Sequence, residues 1–272
     1  MPTIPSRANT SHHARHIAES FGADAERYDR ARPRYPDAMI VDIATPDADL
    51  LVVGSGTGID ARQFQAAGCR VLGVEPDARM AAFAEHSGVP TEVATFETWD
   101  AKGRRFDTVT SGMAWHWVDP VAGAAKAAEV LRPGGRLALY WYVSQAPDEL
   151  KEAMNAVYAR VLPDLPYARG TMPSLEAYSA FFTKAEKGLA EAGGFAPPER
   201  RRYDRTRSVT RDEWLDGVPT SGGMSNLPPE RLDKLLTGLG EAVDAYGGAF
   251  TMEVATVAVT TTRLSPAGPA GT

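Results

Sequence analysis

Near the start of the chain the apolar run Leu50-Leu51-Val52-Val53 passes directly into Gly54-Ser55-Gly56-Thr57-Gly58, and a helical pattern begins at Ile59. Glycine at three alternate positions lets the backbone turn tightly and lets a ligand approach it with no Cβ in the way. The helix behind the turn presents N–H groups that have no acceptor within the helix. A strand, a glycine turn and a helix in this order read as a loop that grips a nucleotide-like cofactor.

Spacing separates the cofactors. A dinucleotide fingerprint reads G-x-G-x-x-G, whereas here the third glycine comes one residue early and Ile59 stands where the fingerprint needs glycine. The next expected strand, 70–75, ends in Glu75, seventeen residues after Gly58. An acid at that tip suits a two-point grip on ribose hydroxyls, which NAD and S-adenosylmethionine (SAM) both possess. The G-x-G-x-G spacing favours SAM, which has no pyrophosphate.

Composition narrows the partners. A net charge of −6 opposes a nucleic-acid partner, which needs a basic face. Arg200, Arg201, Arg202, Arg205 and Arg207 cluster locally and read as a solvated strand face. The single cysteine, Cys69, rules out a disulfide framework and fits a reducing cytoplasm. No signal peptide and no membrane-spanning apolar run is visible, so a cytoplasmic protein is expected.

Strands are expected near 49–53, 70–75, 91–94, 105–110, 136–142, 201–208 and 251–262. Helices are expected near 13–28, 36–44, 59–67, 77–86, 119–130, 147–161, 174–192, 210–216 and 228–246. This alternation implies an α/β fold with a mostly parallel sheet and helices on both faces. Pro133-Gly134-Gly135 reads as a breaker ahead of the strand that starts at Arg136. Residues 12–263 read as a single domain between flexible tails at 1–11 and 264–272. Within it, 145–200 lacks a strand pattern and reads as an inserted helical lid.

The motifs together carry a family resemblance. Phe21-Gly22 and Tyr28-Asp29-Arg30-Ala31-Arg32-Pro33-Arg34-Tyr35-Pro36 precede the glycine loop. Val74-Glu75-Pro76-Asp77, Met80, Phe106-Asp107, Trp115-His116-Trp117 and Leu131-Arg132-Pro133-Gly134-Gly135 follow it. In this order, over roughly residues 15–145, the chain resembles the class I SAM-dependent methyltransferases. The likeness is to the small-molecule branch with the ubiquinone-type and trans-aconitate-type enzymes. The resemblance implies a Rossmann-like, seven-stranded, mostly parallel sheet with an antiparallel last strand. It implies SAM as cofactor, with Glu75 on the ribose hydroxyls and the backbone of Gly54, Ser55, Gly56, Thr57 and Gly58 along methionine and ribose. Pro76 and Met80 are then expected on the adenine face, and Thr95, Phe96 and Glu97 at its edge. Ser111 and Gly112 are expected on the methionine backbone. Tyr28 and Arg32 match the N-terminal helix motif, with Arg32 facing the methionine carboxylate.

The chain departs from the family where an acid and a cysteine are usual, at Val52 and Ser55. That acid orients the methionine ammonium, a task that either passes to Asp60 or is left to backbone contacts. Trp115, Trp117, Tyr142 and Phe182 are the candidate acceptor-pocket residues, with Phe181 and Trp214 as further aromatics. Met113, Met172 and Met224 read as fillers of core or pocket. His116 is either a general base or a histidine that holds its loop. His12, His13 and His16 have metal-like spacing but no acid or cysteine to complete a set, so no metal is expected. Asp107 reads as a structural acid.

The reading is therefore an enzyme, a SAM-dependent methyltransferase acting on a small molecule, with an aromatic or heteroaromatic specialised metabolite as acceptor. A monomer or homodimer is expected, without nucleic acid or membrane. Two alternatives are an NAD-dependent oxidoreductase and a SAM-binding protein without methyl transfer.

Overall fold

The computed structural model describes residues 19–164, 175–221 and 224–265. His12, His13, His16, Met172 and the expected N-terminal tail lie outside the described residues. The strands are β1 (Asp49–Val53), β2 (Arg70–Glu75), β3 (Thr91–Val93), β4 (Phe106–Gly112), β5 (Leu131–Gln145), β6 (Glu199–Thr210) and β7 (Ala249–Thr262). They form one seven-stranded sheet in the order β3-β2-β1-β4-β5-β7-β6, mostly parallel, with the last strands antiparallel. The α-helices are α1 (Ala25–Ala31), α2 (Asp37–Ile43), α3 (Ile59–Ala66), α4 (Ala78–His86) and α5 (Pro120–Val130). They continue with α6 (Asp148–Val161), α7 (Leu175–Ala192), α8 (Arg211–Gly217) and α9 (Pro229–Ala245).

The centre of the sheet explains the apolar run that precedes the glycines. β1 pairs in parallel with β2 on one side and β4 on the other. Leu50, Leu51, Val52 and Val53 are all buried, as a strand covered on both faces requires. Asp49 opens β1, and its N–H donates to Asp107 Oδ2 at 2.8 Å. Arg132 bridges the same two acids, to Asp49 at 2.9 Å and to Asp107 at 2.8 Å. Asp107 is thus a structural acid that aligns β1, β4 and β5.

Pro133-Gly134-Gly135 does not precede β5 as a breaker but lies inside it. Phe106 pairs with Leu131 and Thr108 with Arg136, so the intervening residues of β5 bulge out of register. The bulge keeps its backbone bonded: Gly134 N–H donates to the Arg263 carbonyl at 2.9 Å, and Arg263 N–H to the Gly135 carbonyl at 2.8 Å.

The chain groups into two compact units. One takes in residues up to Pro33, Tyr142–Ala180 and Asp204–Thr256; the other takes in Arg34–Trp141, Phe181–Tyr203 and residues from Val257. The segment 145–200 is divided between the units after Ala180. In the second unit Phe181, Phe182, Ala185 and Leu189 of α7 are buried. There α7 approaches the start of α5 so closely that a Cβ on Gly188 would sit 2.4 Å from the Pro120 carbonyl oxygen. In the first unit a Cβ on Gly240 would come nearest the Arg211 guanidinium, at 2.7 Å.

Those two glycines make a matched test. Replacing an interior helix glycine with alanine is worth up to about 1 kcal/mol of helix propensity. Gly240→Ala keeps most of that gain, because the Arg211 head group can swing away. Gly188→Ala meets backbone and loses about 1–3 kcal/mol to overpacking, which outweighs propensity. Urea unfolding of the two variants is expected to give opposite signs; equal effects would contradict this packing.

Candidate functional site

In the second unit the glycine loop leaves β1 with three left-handed residues, Gly54, Gly56 and Gly58, at φ of +66°, +54° and +84°. Side chains are excluded at the first of these twice over, since a Cβ on Gly54 would also fall 2.4 Å from Ala114 Cβ. The loop is tied to the end of β2. Gly54 and Ser55 N–H groups both donate to the Val74 carbonyl, at 2.8 and 3.3 Å. Gly56 N–H donates to Glu75 Oε2 at 2.8 Å, and Asp77 N–H to Oε1 at 3.0 Å. Burial pushes the Glu75 carboxyl up to about 7, against the pull of these two amides. Each carboxylate oxygen keeps a further lone pair, so Glu75 can still accept from a hydroxyl-bearing ligand.

Met80 lies over the loop, with its Cε 3.6 Å from where a Cβ on Gly56 would be, while Pro76 is exposed beside it. Thr57 Oγ1 is enclosed and has no partner among the described residues. Ser55 points elsewhere: its Oγ faces β2, 2.6 Å from where a Cβ on Gly73 would sit. The usual cysteine position thus serves strand-to-loop packing here.

A second group converges at the end of β4. Asp60, in the first turn of α3, accepts from the Tyr140 hydroxyl at 2.6 Å and from Ala61 N–H at 2.9 Å. Burial pushes the Asp60 carboxyl up to about 6, against these two bonds. The Tyr35 ring stands edge-on to Tyr140 at 4.9 Å. A Cβ on Gly112 would lie 2.4 Å from Tyr140, 2.6 Å from the Tyr35 hydroxyl and 2.9 Å from Asp60 Oδ2. Asp60, Tyr35 and Tyr140 therefore surround the glycine that the family likeness sets against methionine. Val52 is fully buried, between Gly73 and Thr110, and reaches none of this. The Ser111 side chain is spent on the Val53 carbonyl at 2.9 Å.

The remaining expected residues divide. Thr95 shares a hydroxyl bond with Thr98 at 2.7 Å. Phe96 is buried, 6.1 Å from the Trp115 ring. Glu97 accepts from Asp119 N–H at 2.9 Å, so its carboxylate steadies the residue that caps α5. His116 is buried, between the rings of Trp117 and Phe181 at 4.7 Å each. Its Nδ1 accepts from Trp141 Nε1–H at 3.2 Å. Burial, aided by the Lys184 ammonium, pushes the imidazole down to about 3. Phe182 packs on Trp141 at 5.4 Å and under Arg200 at 5.5 Å.

Tyr28, Arg32 and Tyr142 belong to the first unit. There the Arg32 guanidinium lies 4.7 Å over the Tyr28 ring and donates to the Thr220 carbonyl. Tyr142 and Trp214 line a cavity of about 80 Å³ in that unit. Tyr35 and Tyr178 are the site neighbours that sequence reading did not single out. Tyr35 sat inside a quoted motif, while Tyr178 gave no signal beyond helical periodicity. Among the described residues no three His, Cys, Asp or Glu side chains gather as metal ligands, and no helix is long and apolar enough to cross a membrane.

The raised Glu75 value has a consequence for stability. A carboxyl that binds its proton near 7 when folded, and near 4.5 in its ordinary state, stabilises the fold most below 4.5. That contribution, up to about 3 kcal/mol, is lost as pH rises through 7. Urea unfolding of Glu75→Gln is therefore expected to gain on wild type between pH 5 and pH 8. Parallel pH profiles for the two proteins would show that Glu75 is not a buried, ionising group.

Residues 51–139 match the family model of a methyltransferase domain. An uncharacterized methyltransferase of Mycobacterium tuberculosis is 37% identical over 132 residues, which cover 47% of this chain and 54% of the relative. A malonyl-[acyl-carrier protein] O-methyltransferase of Hahella chejuensis is 32% identical over 152 residues, 52% of this chain and 54% of the relative. The chain spans about half the length of the curated relatives it matches. Among solved structures, a provisionally assigned type II methyltransferase of Anaeromyxobacter dehalogenans aligns with a TM-score of 0.60 at 20% identity. That alignment covers 86% of this chain and 99% of that one. Residues 51–139 thus form a methyltransferase domain, and the relatives and the fold likeness support a class I SAM-dependent methyltransferase.

Proposed function

We propose that this chain transfers a methyl group from SAM to a small-molecule acceptor, an aromatic or heteroaromatic specialised metabolite. The observation that carries the cofactor assignment is the Glu75 carboxylate bonded to Gly56 N–H across a loop of three left-handed glycines. When bound, SAM supplies an electrophilic methyl group on a sulfonium centre. Everything else is the work of this chain's residues. Glu75 accepts from the ribose hydroxyls, which return to it the hydrogen bonds that burial removes. Met80 covers the adenine. Asp60, its place fixed by Tyr140, takes over the ammonium that the family's strand acid holds. Alignment of acceptor and methyl provides the rate.

His116 enters this scheme as a positioning residue. An imidazole that titrates near 3 is a weak proton acceptor at neutral pH, and its Nδ1 is already taken by Trp141. The aromatic shelf that it holds, Trp115 to Trp117, excludes water around the reacting groups. An acceptor that arrives already ionised needs no base. The names of the malonyl-[acyl-carrier protein] relatives favour a second reading, in which the acceptor oxygen belongs to an acyl carboxylate.

Three measurements test the proposal. S-adenosylhomocysteine is expected to raise the melting midpoint by several degrees and NADH to leave it unchanged. Glu75→Ala is expected to weaken adenosylhomocysteine at least about tenfold, the loss of one to two charge-assisted bonds. Stabilisation by NADH alone would return the oxidoreductase reading, and binding without labelled methyl transfer to any acceptor would leave a SAM-binding protein. His116→Asn is expected to lower the melting midpoint without removing a limb from the pH–rate profile near neutrality. Loss of such a limb would make His116 a base.

A further inference from the structure

Asp60 is a buried carboxylate without a counterion. It takes two donors, the Tyr140 hydroxyl at 2.6 Å and Ala61 N–H at 2.9 Å. Among the described residues no lysine or arginine forms an ion pair with it. The cation on its own helix, Arg62, donates to the Thr57 carbonyl at 2.7 Å and acts on Asp60 through its charge alone. Asp60 Oδ2 lies 2.9 Å from where a Cβ on Gly112 would be, and the Gly112 backbone is half-exposed. An enclosed carboxylate beside open backbone, with neutral donors and no paired cation, suits a cationic group carried by a ligand.

The titratable and charged groups around Asp60 are Tyr140 from β5, Tyr35 ahead of α2 and Arg62 from α3 itself. From β4 come Gly112, which has no side chain, and the neutral Thr110, which bonds to Tyr140. Burial holds the Tyr140 hydroxyl well above its ordinary range, so it stays a donor. Burial is also the largest influence on the Asp60 carboxyl and lifts it to about 6, while Tyr140, the Ala61 amide and the Arg62 charge pull it down. The proton therefore sits on Asp60 in mild acid and leaves it near neutrality. Only the ionised form attracts an ammonium; the neutral acid offers it no more than a carbonyl lone pair.

We propose that cofactor binding is linked to release of the Asp60 proton to solvent, with the anionic form holding the methionine ammonium and Tyr140 as the positioning residue that favours that form. The inference deepens the SAM reading above and rests on it. The ammonium keeps its own protons throughout, so the one group that changes charge at this end of the ligand is Asp60. Acid then weakens the grip on the amino-acid end of the cofactor and leaves the nucleoside end to its own contacts.

Calorimetry on the full chain from pH 5 to pH 7.5 tests it, with S-adenosylhomocysteine against 5′-methylthioadenosine. The two ligands share nucleoside and sulfur, so whatever Glu75 contributes through its own ionisation cancels in their ratio; only the first has an ammonium. The preference for adenosylhomocysteine is expected to be full at pH 7.5 and to fall about tenfold by pH 5, as Asp60 takes up its proton. At pH 6, buffers of different ionisation heat are expected to show about half a proton more released by adenosylhomocysteine than by methylthioadenosine. Asp60→Asn is expected to hold the preference at its low value across the whole range. Tyr140→Phe, which removes a donor to the anion, is expected to move the midpoint of the fall to higher pH. The wild-type proton count decides the matter even where neither variant folds. A preference that does not change with pH, or equal proton release by the two ligands, would overturn the proposal. So would an Asp60→Asn protein that keeps the wild-type fall. Binding of adenosylhomocysteine that is indifferent to pH defeats this inference alone, whereas no binding at any pH defeats the SAM reading and this inference with it.

Discussion

The bond from Gly56 N–H to Glu75 is the constraint on which the rest of the site depends. It closes the glycine loop onto the end of β2, and the two amides donated to the Val74 carbonyl hold the same junction a residue away. Ser55 against Gly73 then fills the space between loop and strand. The junction is left incomplete electrostatically. A buried carboxylate costs several kcal/mol unless enough donors reach it, and two amides leave Glu75 near 7 rather than in the ordinary carboxylate range. A ligand carrying a vicinal diol would supply the missing donors. The loop is thus organised for a ligand at some expense to its own stability.

Most of the fold was legible because its periods are strong. β1 is apolar without interruption, as a strand covered on both faces must be, and α8 carries its capping box in the sequence as Thr210 and Glu213. The errors share one physical cause: tertiary partners override local signals. Pro133-Gly134-Gly135 has the composition of a turn, yet Arg263 satisfies its backbone and turns it into a bulge within β5. The segment 145–200 carries no strand pattern, but nothing in its local pattern announces that Gly188 of α7 meets Pro120 at the start of α5. The basic run on β6 resolves into separate ion pairs, Arg200 with Glu186 and Arg201 with Asp42, while Arg207 reaches the cavity of the first unit.

Side-chain roles were less legible than elements, since a motif gives position but not direction. Glu97 follows β3 at the expected place, yet its carboxylate is spent on Asp119 N–H ahead of α5. His116 stands in an aromatic run that reads equally as catalysis or as framework. The Trp141 N–H on its Nδ1, and the rings of Trp117 and Phe181 on either side, support the framework reading. A neutral imidazole in that setting is a shaped aromatic wedge with one acceptor.

The same logic bears on a carboxylate at position 52. At position 52 a carboxylate would lie in the middle of a strand walled by Gly73 and Thr110, fully enclosed. In a buried strand the backbone amides are committed to the ladder, so such an acid must find its donors in a ligand or remain unsatisfied. At the start of α3 the same charge meets free helix amides, a favourable helix dipole and the Tyr140 hydroxyl. Valine at 52 then adds to the core at no electrostatic cost. Tyr140 cannot serve Asp60 without Gly112, since any Cβ there would collide with its ring at 2.4 Å. The aspartate in α3, the tyrosine on β5 and the glycine ending β4 are therefore one packed arrangement.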